Sequence, residues 1–76
     1  MISGETFLIN LGSHIRQIRE RKNLSQQNLA DICDLPKTTI GRIERAEMNT
    51  TIKTLVKIAN ALEIEPKELL NLKIKE

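Results

Sequence analysis

The run from Lys37 to Arg45, KTTIGRIER, holds the side chains whose types and spacing allow specific chemistry. Wound into a helix, it puts Ile40 and Ile43 on one side and Lys37, Thr38, Gly41, Arg42 and Arg45 on the other. Lysine and arginine donate to guanine O6 and N7 and to phosphate oxygens, and a threonine methyl packs on the thymine methyl. An element held on its apolar side and cationic on the other is fit to enter a major groove about 12 Å wide. The other reactive residue types do not combine. His14 lies among polar neighbours and is expected to be exposed or to reach a phosphate, and neither Ser13 nor Ser25 has a base nearby in any motif. Cys33 reads as a small buried hydrophobe. One cysteine and one histidine make neither a disulfide nor a metal site. There is no glycine-rich phosphate loop and no catalytic carboxylate pair. The chain is therefore expected not to be an enzyme and to need no metal or cofactor.

Apolar residues recur at helical spacing almost throughout. Phe7, Leu11, Ile15 and Ile18 form the stripe of a first helix. It starts between Gly4 and Leu11 and ends near Lys22, with Asn23 suited to a left-handed position beyond it. Gly12 weakens this helix by about 1 kcal/mol relative to alanine. Ser25 caps a second helix over Gln26–Cys33, whose capping box is incomplete because Asn28 stands where Glu or Gln is wanted; Leu29, Ala30 and Ile32 face inward. Asp34 makes the turn, and Pro36 opens a third helix that ends near Glu44 to Ala46. Thr51 caps a fourth, burying Ile52, Leu55, Ile58, Ala59 and Leu62. Pro66 starts a fifth that runs to about Leu72, and Lys73–Glu76 is expected to fray. Ala30, on the inner face of the second helix, lets the third approach closely. The class is all-α, a five-helix bundle with short connections.

Seventy-six residues make one domain. So short a chain buries only about 60% of the surface its unfolded form exposes, so pairing with a second copy would help it. Net charge is +2, but residues 13–45 carry seven basic and four acidic groups, whereas residues 46–76 are balanced. Nothing resembles a signal peptide and no apolar run approaches the roughly 20 residues of a membrane span, so a soluble, cytoplasmic protein is expected.

Three runs at these spacings, LSQQNLAD, TTIGRIER and TIKTLVKIANALEIEPKEL, carry a resemblance over about residues 11–72. The sequence resembles the Xre/Cro family of helix-turn-helix regulators, which includes phage repressors and Cro proteins. The resemblance implies a lambda-repressor-like fold, with the helix-turn-helix at about residues 25–46 and the C-terminal helices at about 51–72. It implies a sequence-specific regulator of transcription bound to double-stranded DNA. Lys37, Thr38 and Arg42 match the positions that contact bases; Gln26 matches one whose amide bonds a phosphate and steers toward the third helix, and Thr39 and Arg45 are placed for phosphate as well. Arg19 and Glu44 match a pair that ties the first helix to the third and positions it. Four residues depart from the family pattern. Asp34 stands where glycine is usual, Pro36 where Ser or Thr often caps, Ala46 where glycine is common and Thr50 where proline is common. Ala46 suggests a third helix that ends less sharply or runs on by a residue. The opening Glu-Thr-Phe-Leu-Ile resembles that of restriction–modification controller proteins.

Dimers of this motif place two recognition helices about 34 Å apart on a near-palindrome. Ile64, Leu69, Leu70 and Leu72, with Ile74 and Val56, supply a surplus of apolar residues for a two-fold interface. No second domain for a small-molecule effector is expected. A protein-interaction module that neutralises a partner such as a toxin, with DNA incidental, is the competing reading.

Overall fold

The computed structural model describes residues 1–74. Five helices follow in order: α1 (Gly4–Arg21), α2 (Gln26–Cys33), α3 (Lys37–Glu44), α4 (Ile52–Ala61) and α5 (Pro66–Leu69). No strand occurs among the described residues. The all-α, five-helix expectation is met. Of the tail expected to fray, residues 75 and 76 lie outside the described part.

Hydroxyl residues start three of the helices. Ser3, Ser25 and Thr51 each accept a hydrogen bond from the backbone N–H three residues on, at Thr6, Asn28 and Thr54. That bond satisfies one of the helix's unpaired first-turn donors. The capping box of α2 is complete after all: the Asn28 side-chain oxygen accepts from the Ser25 N–H at 3.1 Å. Asparagine reaches the same donor that a longer Glu or Gln would. Pro36 is the N-cap of α3 rather than its first helical residue.

α1 packs against α3 and α5, α2 against α3 and α4, and α4 against α5. The core they enclose is aliphatic: Leu11, Ile15 and Ile18 of α1 meet Leu29, Ala30, Ile40, Ile43, Leu55, Ile58, Leu62 and Leu69. Cys33 is buried with them, and burial pushes its thiol pKa up, so it stays a neutral apolar side chain. Ile32 does not face inward. It is 57% exposed, because the buried arc of α2 runs through Leu29, Cys33 and Ala30 and leaves Ile32 beyond its edge. Ile52 is in phase with the α4 stripe, yet on the opening turn it remains 69% exposed. α5 stops at Leu69, and Leu72 packs on the core from an irregular segment. His14 is half-buried, and its Nε2 donates to the Glu68 carbonyl at 2.9 Å, tying α1 to α5.

Four connections turn on a residue of positive φ, and none of the four is glycine: Asn23, Asp34, Ala46 and Glu63. At each, the residue after it bonds back to the last turn: Leu24 N–H to Arg19 O, Leu35 to Ala30 O, Glu47 to Arg42 O, and Ile64 to Ala59 O. This is the six-to-one bond of the Schellman motif, which closes a helix end sharply. α3 therefore ends at Glu44 and does not run on, with Ala46 in the role glycine usually fills. A Cβ in this conformation costs about 1–2 kcal/mol.

Gly12 does the opposite. It lies in mid-helix, where a Cβ would stand 2.6 Å from the carbonyl oxygens of both Ile43 and Glu44. Backbone meets backbone there, and no side chain can yield. Two substitutions separate these roles in urea titrations. Ala46→Gly is expected to raise stability by about 1 kcal/mol. Gly12→Ala is expected to lower it by about 1–3 kcal/mol, despite alanine's better helix propensity. A stabilised Gly12→Ala protein would show that α1 and α3 do not approach so closely.

Candidate nucleic-acid interface

α3 has eight residues, too few to hold a helix in water unaided. Its orientation comes from what grips it. Ile40 and Ile43 are buried in the core, and the Glu44 side chain is buried at its end. Arg19 Nε donates to Glu44 Oε2 at 2.7 Å and Arg19 Nη2 to Glu44 Oε1 at 3.0 Å, a bidentate pair between residues 25 apart in sequence. Arg19 Nη1 donates to the Leu24 carbonyl at 2.7 Å, at the junction leading into α2. Gln26 Nε2 donates to Glu44 Oε1 at 3.1 Å from the first residue of α2. One carboxylate thus collects α1 and α2 around the end of α3. The Glu44 hydrogen bonds hold the Arg19 pKa above its ordinary value, although burial pulls the other way. The guanidinium stays charged at every working pH.

The opposite side of α3 faces solvent. At 3.6 residues per turn, Thr38, Gly41, Arg42 and Arg45 fall within roughly a 100° arc, with Lys37 about 40° beyond it. Lys37, Thr38, Arg42 and Arg45 are exposed; Thr39 is half-buried at the far edge. The structure brings Lys37, Thr38 and Arg42 onto one open face, as the spacing predicts. Arg42 Nη2 lies 3.5 Å from the Glu47 carbonyl, a long contact in solvent. Arg45 is more engaged: its Nε and Nη2 donate to the two Glu47 carboxylate oxygens at 3.0 and 3.2 Å. Gly41 is buried, and Arg45 is what covers it: a Cβ there would stand 2.8 Å from Arg45 Nη1.

A family model described as helix-turn-helix matches residues 15–69. The chain belongs to the helix-turn-helix family. It is 44% identical over 61 residues to the control protein C.BamHI of Bacillus amyloliquefaciens, a match covering 79% of this chain and 75% of that one. Its fold is similar to the crystal structure of the restriction-modification controller protein C.AhdI from Aeromonas hydrophila. That comparison has a TM-score of 0.81 at 39% identity and covers 82% of this chain and 94% of the other. A third likeness, TM-score 0.76 at 31% identity, is to SinR, the master regulator for biofilm formation, in complex with DNA; it covers 80% of this chain and 98% of that one.

Among the described residues, this helix-turn-helix protein has no group of three or more His, Cys, Asp or Glu side chains placed to hold a metal, and no helix long and apolar enough to cross a membrane. Arg19 and Glu44 meet as the resemblance implies. Three features escape sequence reasoning. Gln26 shares its amide with Glu44, Glu47 returns to Arg45, and Gly12 sits on the backbone of α3. A glycine in the middle of an apolar stripe was the one available signal for the last, since such a residue commonly marks a close approach. Leu69 is corrected: it is 0% exposed within its own subunit, and a fully buried side chain has no surface to offer a second copy.

The buried pair can be weighed by a double-mutant cycle. Arg19→Met or Glu44→Leu alone is expected to cost about 3–5 kcal/mol, since each strands the other charge. The double variant should recover most of that loss while binding DNA less well, because the angle of α3 is no longer set. Losses that simply add in urea melts would show that the pair is not coupled.

Proposed function

We propose that this chain is a transcriptional regulator that reads a near-palindromic operator in double-stranded DNA as a homodimer, with α3 in the major groove. The observation that carries this reading is the division of α3. Its inner side is locked by Ile40, Ile43 and the Arg19–Glu44 pair, and its outer side presents Lys37, Thr38 and Arg42 together. A rigid helix with a cationic, hydroxyl-bearing outer face meets the requirement for base readout. In this reading Lys37 and Arg42 donate to guanine edges and Thr38 packs on a thymine methyl, while Gln26, Thr39 and Arg45 approach phosphates. The likeness to control proteins of restriction–modification systems favours a regulator of that kind, working by its own concentration, in the cytoplasm and without catalysis. Ionic contacts make the binding fall steeply with salt, because each phosphate contact releases counterions.

The dimer surface in this reading is drawn from the C-terminal third. Leu70, Val56 and Ile74 are exposed and Ile64 and Leu72 are half-buried, so apolar side chains other than Leu69 remain open to a second copy. Burying such a patch suits a domain of this size.

Two measurements test the proposal. With an operator selected from random duplexes, Arg42→Ala is expected to weaken specific binding by about 1–3 kcal/mol and leave random-duplex binding nearly unchanged; equal losses on both would reduce Arg42 to a phosphate contact. In sedimentation equilibrium the protein is expected to be a dimer and Leu70→Glu a monomer. A wild-type monomer at high micromolar concentration would refute the two-fold arrangement.

A further inference from the structure

Arg45 and Glu47 are two residues apart, a spacing at which side chains in a continuous helix do not face one another. They meet here because Ala46, at φ 59°, turns the chain back as α3 ends. The guanidinium then lies over Gly41, where the absent Cβ leaves it room. Two of its donor groups, Nε and Nη2, are taken by the two carboxylate oxygens, and Nη1 is directed over the helix. The pair is about half exposed on both sides, so it stands in solvent beside the face that carries Thr38 and Arg42. Each partner shifts the other: the Arg45 hydrogen bond lowers the Glu47 pKa, and the Glu47 hydrogen bond raises that of Arg45.

A carboxylate gripping an arginine through two parallel N–H bonds occupies the fork with which that arginine would bind a phosphate. We propose that Glu47 is an internal competitor for Arg45: it mimics the DNA phosphate in the free protein and must be displaced before Arg45 engages the backbone. This rests on the DNA-binding reading above. The competition acts on a sequence-independent contact: the Glu47 carboxylate hydrogen-bonds to Arg45, and its influence on Arg42 is that of charge at longer range. Glu47 thereby weakens binding to any duplex by a similar factor and keeps the protein from being held on non-operator DNA. The role is that of a positioning and affinity-setting residue, with no contact to a base.

The test is a cycle of four proteins: wild type, Glu47→Gln, Arg45→Ala and the double variant. Each is titrated with a random-sequence duplex of about 30 base pairs at roughly 50 mM salt, and folding is checked by thermal melts. Because any lost acidic charge favours DNA, Glu20→Gln serves as the control; Glu20 is an exposed carboxylate paired with Arg16 on α1. Glu47→Gln is expected to tighten random-duplex binding about 1.5- to fivefold, the range spanned by exposed ion pairs, and by more than Glu20→Gln does. In the Arg45→Ala background the gain should shrink to the size of the control. A gain that persists in full without Arg45, a gain no larger than the control, or a loss of affinity on Glu47→Gln would each overturn the inference while the DNA-binding reading stands. Absence of duplex binding by all four proteins would overturn both.

Discussion

A single buried carboxylate, that of Glu44, sets the geometry of the molecule's working face. It ends α3 and accepts hydrogen bonds from Arg19 of α1 and Gln26 of α2, so three helices converge on two oxygen atoms. A buried ion pair adds little net stability compared with apolar residues of the same volume, because desolvation offsets the attraction. What it adds is direction. The guanidinium fork accepts a carboxylate in one plane only, and the third nitrogen, on the Leu24 carbonyl, fixes that plane against the backbone. Lysine would supply the charge without the orientation. A helix of eight residues, unable to stand alone, is thereby aimed.

The apolar contacts and the ion pair share this task with a contact that involves no side chain. Gly12 brings α1 onto the last carbonyls of α3, close enough that a methyl group would have to displace one helix. The two constraints lie about two turns apart on α1 and resist different motions. Gly12 sets the separation of the helices, and Arg19 sets the rotation of α3 about its own axis. With both satisfied, Lys37 and Arg42 project from a fixed frame.

Much of this was legible in the residues. The stripes Leu11–Ile15–Ile18 and Leu55–Ile58–Leu62, the caps Ser25 and Thr51, and the turn residues Asn23 and Asp34 all stand where periodicity and capping chemistry put them. The face bearing Lys37, Thr38 and Arg42 was legible too, because helical spacing alone separates it from Ile40 and Ile43. The misreadings share a cause: spacing gives the direction of a side chain but says nothing of what lies opposite. Periodicity puts Ile32 and Ile52 inside, yet both are open, and the apolar surplus of the C-terminal segment includes Leu69, which is enclosed. Ala46 misled for another reason. Intrinsic preference argues against alanine at positive φ, but the bonds from Ala46 and Glu47 back to Ile43 and Arg42 override it. The link from Gln26 to Glu44 and that from Glu47 to Arg45 depend on tertiary placement and on a turn, neither of which a linear pattern encodes.

The left-handed residue at the end of α3 also bears on motion. Helix ends are among the least protected parts of a fold, and they open far more often than the whole domain unfolds. An alanine that resists its own backbone conformation makes this end easier to open than a glycine would. The amide of Glu47, bonded to the Arg42 carbonyl, gives way in the same event. That event also carries the Glu47 side chain away from Arg45. Fraying of a single turn and the freeing of one cation for solvent are thus one fluctuation, and its frequency is set by a methyl group at position 46.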